Sequence, residues 1–436
     1  MAELLERAYS GSAWYARVLS EEVAKEVLSE LKNLIDNGSS PFSLLEALAR
    51  LPFTKPEDLA SNSDLFLAAT HDEVAGIVSV PTSGTSGSSK RIYSTAPDLE
   101  ETIAFFEYGM RVMVNPDHDR VALAMSPARP GNVGDLLGRA LARWGIPFIA
   151  QGFVPQDQAE EEDWLNRLIQ WRPTCLVGVP AQMLALSRHR LAPRLASSLK
   201  TMLLSGDVAD GRLVAELEKN LPGCRVYRHY GLTEAGLGGA VECRLRQWPH
   251  LRDDLLVEII EPDTGLNLPP GRFGEIVVTP LTRLGSPLLR YRTGDEGLLI
   301  AEECQCGTIF PRLRTFGRLS DRLTLPTGRV LRVNDLEEPL MSLPFIRDYS
   351  LCQHQKRGGG LSLVINVVSE APERAAHLAA MAVLNWLGPD GRGLSLGVKR
   401  GGKESITDKR QGGKRRLRQS DGPLSDGDME MLIVKG

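Results

Sequence analysis

Two spacings of apolar residues alternate along the middle of the chain. Short, mainly apolar runs, typical of strands buried on both faces, are separated by longer stretches whose apolar positions recur as in amphipathic helices. The short runs predict strands at 121–125, 146–150, 175–179 and 201–205, and the longer stretches predict helices at 98–113, 133–144, 160–171, 181–190 and 209–220. This alternation predicts βαβ units and a parallel sheet flanked by helices.

The pattern differs on either side of this region. A capped amphipathic helix is predicted at 20–37, and from residue 223 short antiparallel strands are predicted at 239–242, 255–261, 275–279 and 298–301, with a Pro-Asp-Thr-Gly turn at 262–265. Strands at 323–325 and 361–368 and a helix at 371–387 predict a small α+β region. We therefore expect an α/β protein with a large N-terminal domain, 1–320, and a small α+β C-terminal domain, 321–436.

Composition excludes several classes of protein. A net charge of −4 on 436 residues is not the strongly basic balance of a nucleic-acid-binding protein. The N-terminus lacks the basic and apolar segments of a signal peptide, and no apolar run is long enough to span a bilayer, so we expect a cytoplasmic protein without a membrane partner. Six cysteines in such a chain suggest metal ligands where they cluster.

A strand followed by a polar loop gives the first indication of chemistry. Residues 80–90 read VPTSGTSGSSK, and the apolar residues 77–80 before the loop predict a strand. Glycine permits positive φ, so successive N–H groups of such a loop can line a phosphate site, with hydroxyl groups and a lysine as further donors. The spacing does not match that of a P-loop NTPase. The candidate phosphate-binding residues are Thr82, Ser83, Gly84, Thr85, Ser86, Gly87 and Lys90.

Four later motifs accompany this loop. They are YGLTE at 230–234, YRTGD at 291–295, GRLSD at 317–321 and GGK at 412–414. In order and spacing, the set resembles the core motifs of the adenylate-forming enzymes, the acyl-CoA synthetase and ligase superfamily. The segments YGLTEAGLGGAVEC, RYRTGD with CQCG, and RPTCLVGVP resemble the phenylacetate-CoA ligase branch in particular. The resemblance is good over residues 80–321.

The resemblance implies the fold, the reaction and the roles of residues. Enzymes of this superfamily activate a carboxylic acid with ATP and Mg²⁺, and a small mobile C-terminal domain carries a late lysine, here Lys414, with Lys409 as the alternative. The motif YGLTE implies that Tyr230 packs on the adenine, with Gly231 beside it, that Thr233 contacts the α-phosphate and that Glu234 binds Mg²⁺. The remaining implied ATP-binding residues are Asp295 at the ribose, Arg318 near the ribose or α-phosphate, and Ser205, Gly206 and Asp207 beside the adenine and acyl group.

A second metal site is predicted from the cysteines. Cys304 and Cys306 are two residues apart, and Cys243 and His250 lie upstream. Four such ligands form the closed tetrahedral site of a structural zinc ion. The phenylacetate-CoA ligase branch shows a similar arrangement, which these positions match.

These observations favour an ATP-dependent carboxylate–CoA ligase that acts on an aryl or related acid, with coenzyme A as co-substrate. An adenylating enzyme with another acceptor and a weakly catalytic nucleotide-binding protein are the alternatives. Gly236, Gly238 and Gly239 are interpreted as a pocket wall where small residues leave room for substrate. The sequence leaves open the identity of the acid and the oligomeric state, a homodimer included.

Overall fold

The computed structural model describes residues 2–37, 41–81, 89–126, 130–155, 157–355, 361–369, 372–392, 394–400, 417–420 and 432–435. By their internal contacts these residues form two compact units. Unit 1 comprises Met1–Asp117, Ser126–Ala150 and Arg228–Thr315, and unit 2 comprises His118–Met125, Gln151–Tyr227 and Phe316–Gly436. A domain boundary at residue 320 stays a prediction.

The regular elements are as follows in chain order. The α-helices are α1 (Ala2–Gly11), α2 (Ala13–Val18), α3 (Glu21–Asp36), α4 (Pro41–Leu48), α5 (Pro56–Asn62), α6 (Ala96–Met110), α7 (Val133–Arg143), α8 (Gln158–Trp171), α9 (Pro180–Ser187), α10 (Ala192–Ala196), α11 (Gly211–Asn220), α12 (Glu337–Met341) and α13 (Pro372–Leu387). The strands are β1 (Val74–Pro81), β2 (Ser89–Thr95), β3 (Val121–Ala124), β4 (Phe148–Ala150), β5 (Cys175–Gly178), β6 (Thr201–Leu204), β7 (Arg225–Tyr230), β8 (Ala240–Val241), β9 (His250–Leu251), β10 (Leu255–Ile260), β11 (Gly274–Pro280), β12 (Tyr291–Ile300), β13 (Arg312–Arg318), β14 (Arg322–Thr324), β15 (Val330–Arg332), β16 (Ile346–Gln355), β17 (Leu361–Ser369), β18 (Ser395–Arg400), β19 (Leu417–Ser420) and β20 (Leu432–Lys435).

Unit 1 begins with helices that the sequence pattern mostly missed. Helix α3 confirms the helix predicted at 20–37, and the Ser20 hydroxyl accepts the N–H of Val23 at 3.2 Å, which satisfies one donor of its first turn. Tyr15 of α2 is buried, and its hydroxyl lies 2.7 Å from that of Thr54 and accepts the N–H of Leu289 at 2.7 Å. These bonds attach the short helices to residues far along the chain.

Unit 1 also contains a β-hairpin and a group of antiparallel strands. Strands β1 and β2 pair with Val80 opposite Lys90. Strands β10, β11 and β12 form an antiparallel sheet, and β8 pairs with β7 and β9. Strand β12 begins seven residues before the strand predicted at 298–301. Gly294 has φ of 71°, which suggests a turn, but in the structure the β11–β12 register shifts near it, so the positive φ belongs to a bulge within the strand.

Unit 2 contains three of the four strands predicted for the parallel sheet, and the strand predicted at 146–150 is β4, in unit 1. Strands β3, β5 and β6 pair in parallel, with Val121 opposite Cys175 and Cys175 opposite Thr201. Every residue of these strands is buried, which explains their continuous apolar runs. Helices α8 and α9, between these strands, and α11, after β6, confirm predicted helices, whereas α10 was not predicted. The mixed α/β fold class is therefore confirmed.

The C-terminal residues of unit 2 form a separate sheet in the order β19-β16-β17-β18-β20, with helix α13 in contact with β17 and β18. Arg188, at the end of α9, donates to the carbonyl groups of Met341 at 2.5 Å, Leu343 at 3.3 Å and Ile346 at 2.5 Å. One buried guanidinium group thus fixes the segment between α12 and β16 to α9. Among the described residues, no helix is long and apolar enough to cross a membrane.

Arg290 forms a buried ion pair with Glu258, and its replacement is expected to destabilise the protein. Its buried guanidinium group donates to Glu258 at 2.8 and 3.1 Å and to the carbonyl groups of Ala49 at 3.0 Å and Leu51 at 2.8 Å. Arg290→Met leaves the Glu258 carboxylate buried without its counter-ion, so we expect the free energy of unfolding to fall by about 3–5 kcal/mol in urea titrations. Arg50→Met, which breaks exposed pairs with Glu26 and Glu30, is the control and should leave the urea midpoint nearly unchanged. A midpoint unchanged in Arg290→Met as well would contradict the prediction.

Candidate active site

The two tyrosine motifs bond to each other reciprocally in unit 1. Tyr230, the first residue of YGLTE, donates its hydroxyl to Asp295, the last residue of YRTGD, at 3.0 Å. Tyr291, the first residue of YRTGD, donates its hydroxyl to Glu234, the last residue of YGLTE, at 2.8 Å. Each motif therefore positions the carboxylate of the other, although 57 residues separate Glu234 from Tyr291.

Lys90 belongs to the same cluster. Its ammonium group donates to Glu234 and, at 3.0 Å, to the hydroxyl of Tyr291. The Lys90 side chain is 12% exposed and that of Glu234 is 8% exposed, so the ion pair is largely removed from water. Burial by itself raises the pKa of the Glu234 carboxyl, but the charge of Lys90 and the hydrogen bonds from Lys90 and Tyr291 outweigh burial and lower the pKa below its ordinary value. Glu234 is therefore held as a carboxylate.

Backbone geometry places Glu234 beside Thr233. The two residues lie in a single 3₁₀ turn, Thr233–Ala235, which ends at Gly236 with φ of 74°. A Cβ atom at Gly231 would lie 1.9 Å from the carbonyl oxygen of Leu237, so only glycine fits where the chain folds back after Tyr230.

Gly236 and Gly238, which follow the YGLTE motif, were expected to leave room for substrate, but the structure places protein atoms against both. A Cβ atom at Gly236 would lie 1.6 Å from the guanidinium group of Arg283, and one at Gly238 would lie 2.3 Å from the ring of Phe105. The carbonyl group of Gly238 also accepts a hydrogen bond from Arg252 at 3.3 Å. Close packing against protein atoms, not room for substrate, therefore accounts for Gly236 and Gly238, which corrects the interpretation as an open wall.

Four of the predicted ATP-binding residues lie in unit 2. Ser205, Gly206 and Asp207 follow the carboxyl end of β6, where parallel α/β sheets bind ligands, and Gly206 has φ of 92°. Arg318 is the last residue of β13 and precedes the 3₁₀ turn Leu319–Asp321. Their roles in ATP binding stay predictions.

Other predicted residues lie outside the described part of the chain. They are the loop residues Thr82, Ser83, Gly84, Thr85, Ser86 and Gly87, and the late lysines Lys409 and Lys414. Their roles stay predictions.

The predicted zinc ligands come together in unit 1. One ligand atom each from Cys243, His250, Cys304 and Cys306 lies within 4.8 Å of all the others. The sulfur atoms of Cys243 and Cys304 are 3.8 Å apart, and Nε2 of His250 is 3.5 Å from the sulfur of Cys306. Tetrahedral zinc with bonds of about 2.3 Å to sulfur and about 2.05 Å to nitrogen places two sulfurs about 3.8 Å apart and a sulfur and a nitrogen about 3.6 Å apart. These two separations match those of a tetrahedral zinc site.

Surrounding groups orient these ligands. Nδ1 of His250 lies 2.8 Å from the carbonyl oxygen of Phe310, so a proton on Nδ1 leaves the Nε2 lone pair directed at the cluster. Burial by itself raises the pKa of the Cys306 thiol, but hydrogen bonds from Thr308 and the neighbouring thiols lower the pKa to about 7. Arg312 donates to the carbonyl groups of Gln247 at 3.1 Å and Glu302 at 2.7 Å, which ties together the two loops that carry the ligands.

The cysteine cluster is connected to YGLTE by a buried ion pair. Arg228, two residues before Tyr230, donates its side chain and its backbone N–H to Glu242, at 2.9 and 2.8 Å. Glu242 directly precedes Cys243 and also accepts the N–H of Trp248 at 3.0 Å, within the loop that leads to His250. The loop that carries Cys243 and leads to His250 thus supports the strand that ends in the motif.

Residues 19–280 match the model of the family described as AMP-binding enzyme. The chain therefore belongs to this family, the adenylate-forming enzymes. A phenylacetate-coenzyme A ligase of Thermus thermophilus is 30% identical over 75% of this chain and 76% of that protein. The phenylacetate-coenzyme A ligase of Escherichia coli is 25% identical over 75% of this chain and 74% of that protein.

Comparison with solved structures agrees on the fold. A crystal structure of 2-hydroxyisobutyryl-CoA ligase with 2-HIB-AMP, in the postadenylation state, superposes with a TM-score of 0.75 at 20% identity, over 97% of this chain and 88% of that one. Within the family, the chain is a carboxylate–CoA ligase of the phenylacetate-CoA ligase-like branch. Such a ligase forms an acyl-CoA in two steps: the acid first reacts with ATP to give an acyl-adenylate and pyrophosphate, and coenzyme A then displaces AMP from the acyl-adenylate.

Tyr291 belongs to this hydrogen-bonded cluster, and the sequence analysis gave it no role. It stands in the quoted motif YRTGD, directly after the buried Arg290, yet only Asp295 received a role. The signal that could have indicated Tyr291 is its place as the first residue of a motif of the same form as YGLTE, a tyrosine followed four residues later by an acid.

Proposed function

We propose that this ligase activates an aryl or related carboxylic acid, with Glu234 as the Mg²⁺ ligand and Asp295 as the ribose-binding residue. The observation that carries the assignment of residues is the reciprocal pairing of Tyr230 with Asp295 and Tyr291 with Glu234. Of the two carboxylates held by hydroxyl donors, Glu234 would bind the metal ion and Asp295 would accept the ribose hydroxyls. The names of the curated relatives support an aryl acid as the substrate class.

The chemistry explains this set of residues. In adenylation a carboxylate oxygen attacks the α-phosphorus of ATP and pyrophosphate leaves, so two anions must approach one another. Mg²⁺ held by Glu234 would supply positive charge at the phosphates. Thr233 would donate its hydroxyl to the α-phosphate, and Asp295, oriented by Tyr230, would accept the ribose hydroxyls. The lysine expected at 414 would bring a mobile ammonium group to the transition state.

Removal of the Asp295 carboxylate should weaken ATP binding more than it slows the chemical step. Hydrogen bonds to charged groups contribute about 1.5–3 kcal/mol, so for Asp295→Ala we expect the ATP concentration at half-maximal exchange to rise about 10- to 100-fold. Tyr230→Phe, which removes only the hydroxyl that orients Asp295, should have a smaller effect in the same direction. The measurement is ATP–pyrophosphate exchange as a function of ATP. An unchanged ATP dependence in Asp295→Ala would rule out the ribose role.

We propose further that Cys243, His250, Cys304 and Cys306 hold a structural zinc ion. We expect metal analysis of the purified protein to give about one zinc per chain, because four N and S ligands leave no open position. Cys306→Ser should lose this zinc and unfold more readily, whereas Cys352→Ser, a matched change outside the cluster, should retain it. A stable wild-type protein without metal would refute the site.

The function is tested by ATP–pyrophosphate exchange over a panel of aromatic and aliphatic acids, with and without coenzyme A. Exchange that depends on an aromatic acid, followed by thioester formation with CoA, is the expected result. Exchange without a thioester would favour the alternative acceptor, and no acid-dependent exchange would favour the weakly catalytic alternative. A cytoplasmic location and a homodimer stay predictions.

A further inference from the structure

The largely buried ammonium group of Lys90 contacts the carboxylate of Glu234, which is expected to bind Mg²⁺. Lys90, the second residue of β2, is fixed opposite Val80 by the register of the β1–β2 hairpin. Its ammonium group contacts Oε1 of Glu234, the same oxygen that accepts the Tyr291 hydroxyl at 2.8 Å. The Glu234 oxygen that Tyr291 of the YRTGD motif positions is therefore already in contact with a cation.

The ammonium group is itself positioned. The Tyr291 hydroxyl accepts from Lys90 at 3.0 Å while it donates to Glu234, so the three groups form a closed triangle of hydrogen bonds. Lys90 also lies 5.7 Å from the centre of the Tyr291 ring. Tyr291 is 1% exposed, so neither its ring nor its hydroxyl is a surface feature. A buried carboxylate needs a counter-ion, and here the chain supplies one from its own sequence.

The Lys90 ammonium group and a divalent ion would compete for the same carboxylate oxygen of Glu234. Mg²⁺ binds carboxylate oxygens at about 2.0–2.1 Å and requires near-octahedral surroundings. An ammonium group in contact with the same oxygen would repel the ion and would engage a lone pair through which that oxygen could bind it. The Lys90 ammonium group would therefore compete with a metal ion for Oε1 of Glu234.

We propose that Lys90 is the resident counter-cation of Glu234, placed by Tyr291, and that Glu234 can hold Mg²⁺ only after this ammonium group has left. The inference rests on the proposed role of Glu234 as the Mg²⁺ ligand. It makes Lys90 the residue that sets the concentration of Mg²⁺ the enzyme needs. Tyr291 is a positioning residue, because its hydroxyl orients the carboxylate in either state.

The test measures metal binding directly. Mn²⁺ is titrated into enzyme with ATP and without acid substrate, and bound Mn²⁺ is followed by electron paramagnetic resonance. If Lys90 occupies Glu234 about nine-tenths of the time, the apparent Kd for Mn²⁺ is about tenfold above the intrinsic value, so Lys90→Met should bind Mn²⁺ about tenfold more tightly than wild type. Lys25→Met, which removes an exposed lysine paired with Glu21, should bind as wild type does.

Additional variants separate the possible causes. The gain should disappear in Lys90→Met/Glu234→Gln, and Lys90→Arg should keep the wild-type affinity because it keeps the charge. Lys90→Gln serves as the neutral variant if Lys90→Met does not fold. Tyr291→Phe should change the affinity less than Lys90→Met does. Unchanged or weaker Mn²⁺ binding in the folded neutral variant would overturn the inference.

The outcome also distinguishes this inference from the proposed function. If Glu234→Gln alone binds Mn²⁺ as tightly as wild type, Glu234 is not the metal ligand and the proposed function loses that residue. If Glu234→Gln weakens Mn²⁺ binding but Lys90→Met does not strengthen it, the metal role stands and only the competition by Lys90 is refuted.

Discussion

Glu234→Gln is expected to lower the maximal rate of ATP–pyrophosphate exchange by about 10²–10³-fold, the usual cost of losing one preorganised electrostatic contact in a transition state. The amide retains the size of the carboxylate and an oxygen that can accept the Tyr291 hydroxyl, so the cluster keeps its shape. It loses the charge that would hold Mg²⁺. We expect a fall in the maximal rate with little change in the ATP concentration at half-maximal rate, the opposite of the pattern for Asp295→Ala.

The control for Glu234→Gln must account for Lys90, the ion-pair partner of Glu234. The substitution leaves the ammonium group of Lys90 buried without a counter-ion, which alone destabilises the fold. Circular dichroism and the urea midpoint of Glu234→Gln should be compared with those of Lys90→Met/Glu234→Gln, which removes both charges. If the double variant is as stable as wild type and still exchanges slowly, the loss is one of chemistry. Near-wild-type exchange in Glu234→Gln would exclude the metal role.

The sequence predicted the fold best where burial leaves a simple pattern. The parallel strands β3, β5 and β6 are buried on both faces, so they read as short apolar runs and were predicted to within one residue. The short helices α1 and α2 were missed because helices of this length are marginal alone and depend on tertiary contacts, such as those of the buried Tyr15. Such contacts leave no local signal.

The site shows the same division between local and distant information. The motifs were recognisable as local strings, and they contain both carboxylates. The contact between Lys90 and Glu234 joins residues 144 positions apart, and no spacing predicts it. Likewise Gly294 reads locally as a turn residue, whereas its place in a bulge depends on pairing with β11.

Replacement of Lys414 is expected to have the second large effect on activity, an expectation that rests on the sequence. The tail GGKRRLR resembles the family motif whose lysine reaches the α-phosphate and the carboxylate during adenylation only. If residues 321–436 turn between the half-reactions, contacts such as those of Arg188 with the carbonyl groups of Met341, Leu343 and Ile346 must change. An ammonium group on a flexible stem then contributes to one half-reaction and is remote in the other.

Lys414→Ala should therefore lower acyl-adenylate formation from ATP by at least about 10²–10³-fold, since it removes a cation from a transition state that joins two anions. Conversion of a supplied acyl-adenylate with coenzyme A should stay within about twofold of the wild-type rate, because the lysine takes no part in that step. Both half-reactions are measured separately by single-turnover kinetics. Lys409→Ala is the matched control, a lysine of the same tail that should leave both rates unchanged. Equal losses in both half-reactions of Lys414→Ala would indicate damage to the C-terminal domain, and loss of adenylation in Lys409→Ala alone would transfer the role to Lys409.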